Sequence, residues 1–326
     1  MRKMALCAFA LAGLVARPAG ALDILLTNDD GYTAPGILAL RTAFCAAGHA
    51  VTLVASTTNQ SGRGGALNTG AFSSGSAMAL TRVSSDVCGA VYSLAPPTGV
   101  GSFGGTPVDA ANTGLDVVLA GNPPDLVLSG LNQGQNMGKG SPSSSGTVGA
   151  ALAASLRGVP AIAGSVGIDF AESGTGFPST NAAYAPASEF MVRLVAALEA
   201  APGDALLPKG VTLLNVNFPV PYANIVGVRL TALADSSDLA LPIFDRNLGF
   251  PPVPPIGAFP NCLSLSDGQA CSVMVAFASV PGPDPVKNAD TDAYRANLIS
   301  ITPMDGDMTS GGQGNALIGT LRDLAP

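Results

Sequence analysis

Apolar residues fall in short runs along the chain, and the runs alternate between two spacings. "DILLT" (Asp23–Thr27) is a brief apolar run with polar residues behind it, the pattern of a buried strand. Residues 35–48, "PGILALRTAFCAAG", space Ile37, Leu38, Leu40 and Phe44 at helical intervals and stop at Gly48. "AVTLVAS" (50–56) is the next strand. A strand, a helix and a strand in close succession form a βαβ unit, right-handed by default. The alternation continues with a strand at 124–130, a small-residue helix at 146–158 and a strand at 160–165. A helix at 187–200 and a strand at 211–219 follow. Continuous apolar strands separated by helices predict an α/β fold with a mostly parallel sheet and helices on both faces.

The second half is different. Residues 241–260 are rich in Pro and aromatics and read as an extended arm, and late strands are expected at 271–280 and 298–303. The chain divides on this reading into an α/β core at 22–219 and a C-terminal β/loop extension at 220–326.

The first 21 residues have the form of a secretory leader. Arg2 and Lys3 precede an apolar stretch at 4–16, and Ala19, Gly20 and Ala21 make an A-x-A cleavage site. The apolar stretch is short for a membrane span. The expectation is an exported protein, periplasmic or extracellular, with no membrane attachment once the leader is removed; a cytoplasmic protein is the alternative if the leader is not used. Removal of the leader takes Cys7 and leaves Cys45, Cys88, Cys262 and Cys271. An even number of cysteines in an exported chain permits two disulfides in three pairings. Cys262 and Cys271 flank an Asp-Gly turn and are favoured as one pair, which leaves Cys45 with Cys88.

Composition narrows the function. Only 11% of the 326 residues are charged, the net charge is −7, and mean hydropathy is +0.39. Fifteen Lys and Arg without runs argue against nucleic acid as a partner. An acidic chain does not steer phosphorylated ligands from a distance, so phosphate chemistry here needs a local cation.

Against this charge-poor background, "DILLTNDDGYTAPGI" sets Asp29 beside Asp30 at the end of the first strand. In parallel α/β sheets ligands sit beyond the carboxyl ends of strands. Polar loops follow other strands too: "STTNQSGRGG" (56–65), "SGLNQGQNMGKGSPSSSGTV" (129–148) and Gly164-Ser165. Adjacent carboxylates are costly to bury unless a cation holds them. A hard cation such as Mg²⁺ or Mn²⁺ takes oxygen ligands, and Asp29, Asp30, Ser61 and Asn132 offer them. The long loop then runs into a helix near Gly146 and Thr147, and a helix N-terminus is a ready anion site. Each motif alone is ordinary: Asp-Asp-Gly is commonly a turn and cap, and a Ser/Gly stretch a linker. Their joint occurrence, each after its own strand, points to a site.

The motifs "ILLTNDDGYTAPGI", "NQSG", "GTPVDA", "PDLVLSGLNQGQNMG", "SGTVGAALAA" and "LLNVNFP", in this order, resemble the SurE-type survival protein family of 5′/3′-nucleotidases. Residues 290–309 resemble that family's C-terminal segment. The resemblance implies a three-layer α/β/α Rossmann-like core and a divalent-metal-dependent phosphomonoesterase acting on nucleoside monophosphates. It implies one divalent cation on Asp29, Asp30, Ser61 and Asn132, and a phosphate facing Asn136, Ser145, Gly146 and Thr147. It also implies homodimers or homotetramers built with C-terminal arms. The chain departs from the family pattern at Ser144, where the family has Tyr, and at Arg63, a candidate for contact with phosphate or base.

The expected chemistry is attack on phosphorus by a water made more acidic by the cation, with attack by Asp29 as the alternative. Asp29, Asp30 and Asn136 are the candidate catalytic residues. His49, the only histidine, falls at the opposite edge of the sheet and is read as structural, as is Asp109. Two other classes use the same site: an exported nucleotide-binding protein, which holds its ligand without turnover, and a sugar-nucleotide transferase, which needs an acceptor pocket.

Overall fold

The computed structural model describes residues 20–68, 77–97, 105–203, 205–235, 242–245, 271–274 and 283–306. Residues 1–19 of the leader, Cys262, most of the 241–260 arm and residues 275–280 lie outside them. The strands are β1 (Asp23–Thr27), β2 (Ala50–Ser56), β3 (Ala79–Ser85), β4 (Ala90–Ala95), β5 (Leu126–Gln133) and β6 (Ala161–Val166). They continue with β7 (Leu213–Phe218), β8 (Gly227–Leu230), β9 (Pro242–Asp245), β10 (Cys271–Met274) and β11 (Leu298–Met304). The helices are α1 (Pro35–Ala46), α2 (Pro107–Thr113), the single turn α3 (Ser141–Ser144), α4 (Gly146–Ser155), α5 (Pro178–Glu199) and α6 (Asp290–Arg295).

One nine-stranded sheet runs in the order β3-β4-β2-β1-β5-β6-β7-β11-β8. The strands from β4 to β7 in that order are parallel, β3 is antiparallel to β4, and β11 is antiparallel to β7 but parallel to β8. This is the expected α/β architecture. The sheet also crosses the division drawn at residue 219, because β8 and β11 extend it. Residues 242–245, read from sequence as part of a loop, form a strand that pairs with β10.

Two apolar layers sandwich the sheet. On one face Ile37, Leu40 and Phe44 of α1 and Ala183, Ala187, Met191 and Val195 of α5 pack on Ile24, Leu26, Leu126 and Leu128. On the other, Ala110 of α2 and Val148, Ala151 and Ala154 of α4 pack on Leu25, Val54 and Val127. Alternate residues of each strand serve alternate faces, which is why β1 and β5 read as unbroken apolar runs.

Three elements depart from the sequence reading for physical reasons. β3 is exposed along nearly its whole length as the edge strand, so no apolar alternation marks it. α2 is short, and its start is fixed by a capping box between Thr106 and Asp109. α5 begins at Pro178, well before the expected start at 187, and carries Pro186 inside it. Proline lacks the N–H that would bond back one turn, but Thr180, Ala183 and Tyr184 ahead of it are buried on the same face as Ala187 and Met191. Burial of that face carries the helix through the break.

The N-terminal edge of the sheet, away from the strand carboxyl ends, is tied by covalent and polar bonds. His49 is 8% exposed, its Nδ1 accepts from the Leu22 amide at 3.1 Å, and burial holds its pKa below the usual value. Cys45 at the end of α1 is joined to Cys88 before β4, with Cα atoms 5.6 Å apart. Next to that bond, Arg41 Nη1 and Nη2 donate to Asp86 Oδ2 and Oδ1 at 2.9 and 2.7 Å, and the Cys88 and Gly89 amides donate to Asp86 Oδ1.

Reduction of the Cys45–Cys88 bond releases a loop with a sequence separation of 43. It is expected to lower the unfolding free energy by about 2–4 kcal/mol. Urea unfolding with and without dithiothreitol measures this, and superimposable curves refute it. The Arg41 guanidinium, with the two amides, holds the Asp86 carboxyl down to about 2 from 3.8. A depressed carboxyl pKa contributes stability that is present above the unfolded value and lost as pH falls through the folded one. Asp86 is about half exposed, so solvent keeps the contribution below about 1 kcal/mol. The stability advantage of the natural chain over Asp86→Asn is expected to shrink between pH 4 and pH 2, read as the difference between their urea midpoints.

Candidate active site

The chain order reverses at β1, which lies between β2 and β5. That switch point leaves a crevice beyond the strand carboxyl ends. At that level three neighbouring strands carry polar, buried residues: Thr27 and Ser56, the last residues of β1 and β2, at 0% and Ser129 of β5, paired in register with Thr27, at 1% exposure. Their hydroxyls, together with Asn28 Nδ2 and Asn132 Oδ1, have no hydrogen-bond partner. Buried polar atoms without partners are costly, and a run of them at one sheet end marks a place shaped for something polar.

The turn after β1 is built around Gly31. Its φ of +106° is one that L side chains rarely adopt, and its amide donates to Asn28 Oδ1 at 3.2 Å. The Tyr32 amide donates to Ser56 O at 2.9 Å and ties the turn to β2. Asp29 is thereby set at 3% exposure, and Asp30 is partly covered. Asp29 Oδ1 accepts from Thr147 Oγ1 at 2.5 Å. Asp30 accepts from the Gln133 amide at 2.8 Å and from Asn59 Nδ2 at 3.2 Å. Burial pushes both carboxyls above the usual carboxylate range, and for Asp30 the neighbouring Asp29 charge adds to the push.

The loop after β2 approaches from one side. The Gln60 amide donates to Asp29 O at 2.7 Å, and the Ser61 amide donates to Asn59 Oδ1 at 2.8 Å. Asn59 therefore links Ser61 to Asp30, a role the sequence reading did not assign it. Farther along, the loop is held by α2: Thr106 Oγ1 donates to Ala66 O at 2.7 Å, and the Asn68 amide donates to Asp109 Oδ1 at 2.8 Å. Asp109 is thus structural, as expected, in both capping α2 and holding this loop.

On the other side, α4 closes against Asp29. A Cβ at Gly146 would lie 2.8 Å from Asp29 Cβ and from Pro107 Cγ. A Cβ at Gly149 would lie 2.6 Å from Gly64 O. Only glycines allow the helix start, the acid pair and the 56–65 loop to come this close. Ser145 Oγ accepts from the Val148 amide at 3.1 Å as the N-cap, and the Thr147 hydroxyl is given to Asp29. Both hydroxyls are engaged within the protein. What this segment offers an anion is its first-turn amides, which a helix leaves without internal acceptors.

β5 shifts register between Ser129 and Asn132. Asn132 Nδ2 then donates to Gly134 O at 2.5 Å and leaves Oδ1 unpartnered. Asn136 Nδ2 donates to Ser165 Oγ at the end of β6 at 2.9 Å. Asn217 and Asn215 of β7 grip the Asn136 backbone. The sequence reading gave those two asparagines no role, although polar residues two apart in an apolar strand are a readable signal.

Among the described residues no group of three or more His, Cys, Asp or Glu could hold a metal ion. A cation here depends on the two carboxylates plus neutral oxygens. The residues present fit one: two acids whose burial is only partly compensated by hydrogen bonds, an amide oxygen on Asn132 with no partner, and a nearby serine. Such an oxygen set suits a hard divalent ion.

The survival protein SurE family model matches residues 24–238. The 5′-nucleotidase SurE of Gloeobacter violaceus is 37% identical over 214 residues, covering 65% of this chain and 70% of that protein. The 5′-nucleotidase SurE of Thermosynechococcus vestitus is 33% identical over 308 residues, covering 94% and 98%. The crystal structure of the SurE protein from Aquifex aeolicus superposes with a TM-score of 0.64 at 26% identity, covering 92% of this chain and 99% of that one. The acid pair at the switch point, the glycine-gated helix start and these matches agree: the chain belongs to the SurE survival protein family.

Proposed function

We propose that this protein is a divalent-cation-dependent phosphomonoesterase that hydrolyses nucleoside 5′-monophosphates, and the 3′ esters as well, to nucleoside and phosphate. The observation that carries the reading is the buried pair Asp29 and Asp30, with Asp29 packed against the amide end of α4. The names of the relatives, 5′-nucleotidase SurE, support the substrate class.

Asp29, Asp30, Ser61 and Asn132 would hold the cation, Mg²⁺ or Mn²⁺ by the hardness of their oxygens. A bound divalent ion would offset the two carboxylates and polarise a phosphoryl oxygen. The remaining work falls to the chain. The α4 amides and the side-chain amide of Asn136 stabilise charge that builds on the phosphoryl oxygens, in an arrangement fixed before substrate arrives. Thr147 fixes the orientation of Asp29. The nucleophile is a water oriented by the acid pair; Asp29 as nucleophile would leave an aspartyl-phosphate. Radiolabelled phosphate retained on acid-quenched protein would favour the second route.

The leader at 1–21 directs export on this reading, and the working protein runs from residue 22 as a homodimer or homotetramer. The Cys45–Cys88 bond supports an oxidising compartment. No helix among the described residues is long and apolar enough to cross a membrane.

The chain from Leu22 onward, given Mn²⁺ or Mg²⁺, is expected to release phosphate from 5′-AMP and 3′-AMP, and EDTA is expected to abolish release. Folded protein that releases none with either metal points instead to a binding protein or transferase. Gly146→Ala is expected to displace Asp29, because the added methyl has 2.8 Å of space. A misplacement of about 1 Å costs on the order of 100-fold in turnover, so kcat should fall by roughly that factor while circular dichroism is unchanged. Asp29→Asn is expected to abolish turnover; near-normal activity with tight metal binding would show that the site lies elsewhere.

A further inference from the structure

A buried polar patch lies behind the site and takes no part in the chemistry above. β7 is apolar except for Asn215 and Asn217, both 0% exposed and, being two apart, on one face of the strand. Asn217 Oδ1 accepts from the Asn136 amide at 2.7 Å, and Asn217 Nδ2 donates to Asn136 O at 3.1 Å. Asn215 Nδ2 donates to the same carbonyl at 2.7 Å. Both backbone polar groups of Asn136 are therefore held by side chains from another strand. Two residues on, the Gly138 amide donates to Asp290 Oδ2 at 2.9 Å, and Asp290 Oδ1 accepts from the Ala234 and Thr291 amides, each at 2.9 Å. The loop carrying Asn136 is gripped at two points.

This arrangement is not the cheapest way to fill a core. Asn215 Oδ1 and Ser300 Oγ, buried in the same region, have no partner. Apolar residues on that face would avoid those losses. What asparagine supplies and an aliphatic cannot is a fixed geometry for the Asn136 backbone. Asn136 Nδ2 is in turn fixed by Ser165 Oγ at 2.9 Å, so backbone and amide are set together.

We propose that Asn217, backed by Asn215, is a positioning residue for phosphate-ester hydrolysis, acting through Asn136 by holding its backbone N–H and C=O. The proposal rests on the hydrolase reading above. A purely structural role for Asn217 would change stability and leave the turnover of each folded molecule alone.

The test is a double-mutant cycle of Asn217→Ala, Asn136→Ala and both, with kcat and KM measured on 5′-AMP with Mn²⁺ and corrected to folded protein by circular dichroism. Asn217→Ala is expected to lower kcat by roughly 10- to 100-fold, the range for a displaced site group, with a smaller change in KM. The double variant is expected to fall no further than Asn136→Ala alone, because one residue acts through the other. Losses that multiply, or an unchanged kcat in Asn217→Ala, overturn the proposal. If Asn217→Ala does not fold, Asn215→Ala removes one bond to the Asn136 carbonyl and leaves the Asn217 pair; it should give a smaller fall in kcat, and no fall counts against the proposal. Hydrogen exchange at the Asn136 amide separates the two readings: it should speed up in the variant whether or not the natural chain turns over. A natural chain without phosphate release sinks the hydrolase reading, whereas unchanged exchange sinks the positioning.

Discussion

Two carboxylates on consecutive residues, at the buried end of a central strand, set the terms for everything around them. Burial has taken much of the water from Asp29 and Asp30 and pushes both pKa values up, and the neighbouring Asp29 charge adds to the push on Asp30. The protein answers only in part. One hydroxyl reaches Asp29, and one backbone amide and one side-chain amide reach Asp30. Among the described residues no Lys or Arg is paired with either acid. A site meant only to be stable would have placed a guanidinium there, as the same protein does at Asp86 with Arg41. The different treatment of these carboxylates is the physical contrast between a charge-neutralised clamp and an acid pair left without a cationic partner, the contrast on which the proposed cation site rests.

The close approach of Asp29 and the 56–65 loop to the start of α4 explains the composition of that helix. Gly146 and Gly149 leave no space for side chains against Asp29, Pro107 and Gly64. Ala150, Ala151 and Ala154 are wholly buried against the sheet. Large apolar residues would bury more area, but they would lift the helix off the sheet and carry its amide end away from the acids. Close approach has been given precedence over apolar burial. This also accounts for a chain rich in glycine and alanine whose core still reads as strongly apolar.

Much of this was legible in the sequence because function and fold left separate marks. The apolar runs of β1, β2, β5, β6 and β7 follow from strands buried on both faces, and the NDDG turn stood out because charge is so scarce. What escaped did so for identifiable reasons. β3 is an exposed edge with no alternation to read. α5 runs through Pro186, where the local rule puts a boundary, because tertiary burial outweighs one missing hydrogen bond. That the Ser145 hydroxyl caps α4 and the Thr147 hydroxyl donates to Asp29 could not be read from spacing either. Sequence spacing reports which loop a residue occupies, not which of its atoms is already engaged.

The largest gap in the sequence reading concerned residues remote in the chain. Asn136 lies far in sequence from Asn217, and Gly138 farther still from Asp290, yet hydrogen bonds join both pairs. The register explains how. β7 lies between β6 and β11, and β8 continues the sheet beyond β11, so segments on either side of residue 219 meet behind one loop. The acids and the Thr147 hydroxyl come from the first half of the chain, whereas much of the rigidity of the Asn136 loop comes from the second. A truncation that kept every N-terminal motif, ending before Asp290, would retain the acid pair and lose part of the frame that holds the Asn136 loop. The site is a property of the whole sheet, and the C-terminal strands belong to it as much as the strand that ends in two aspartates.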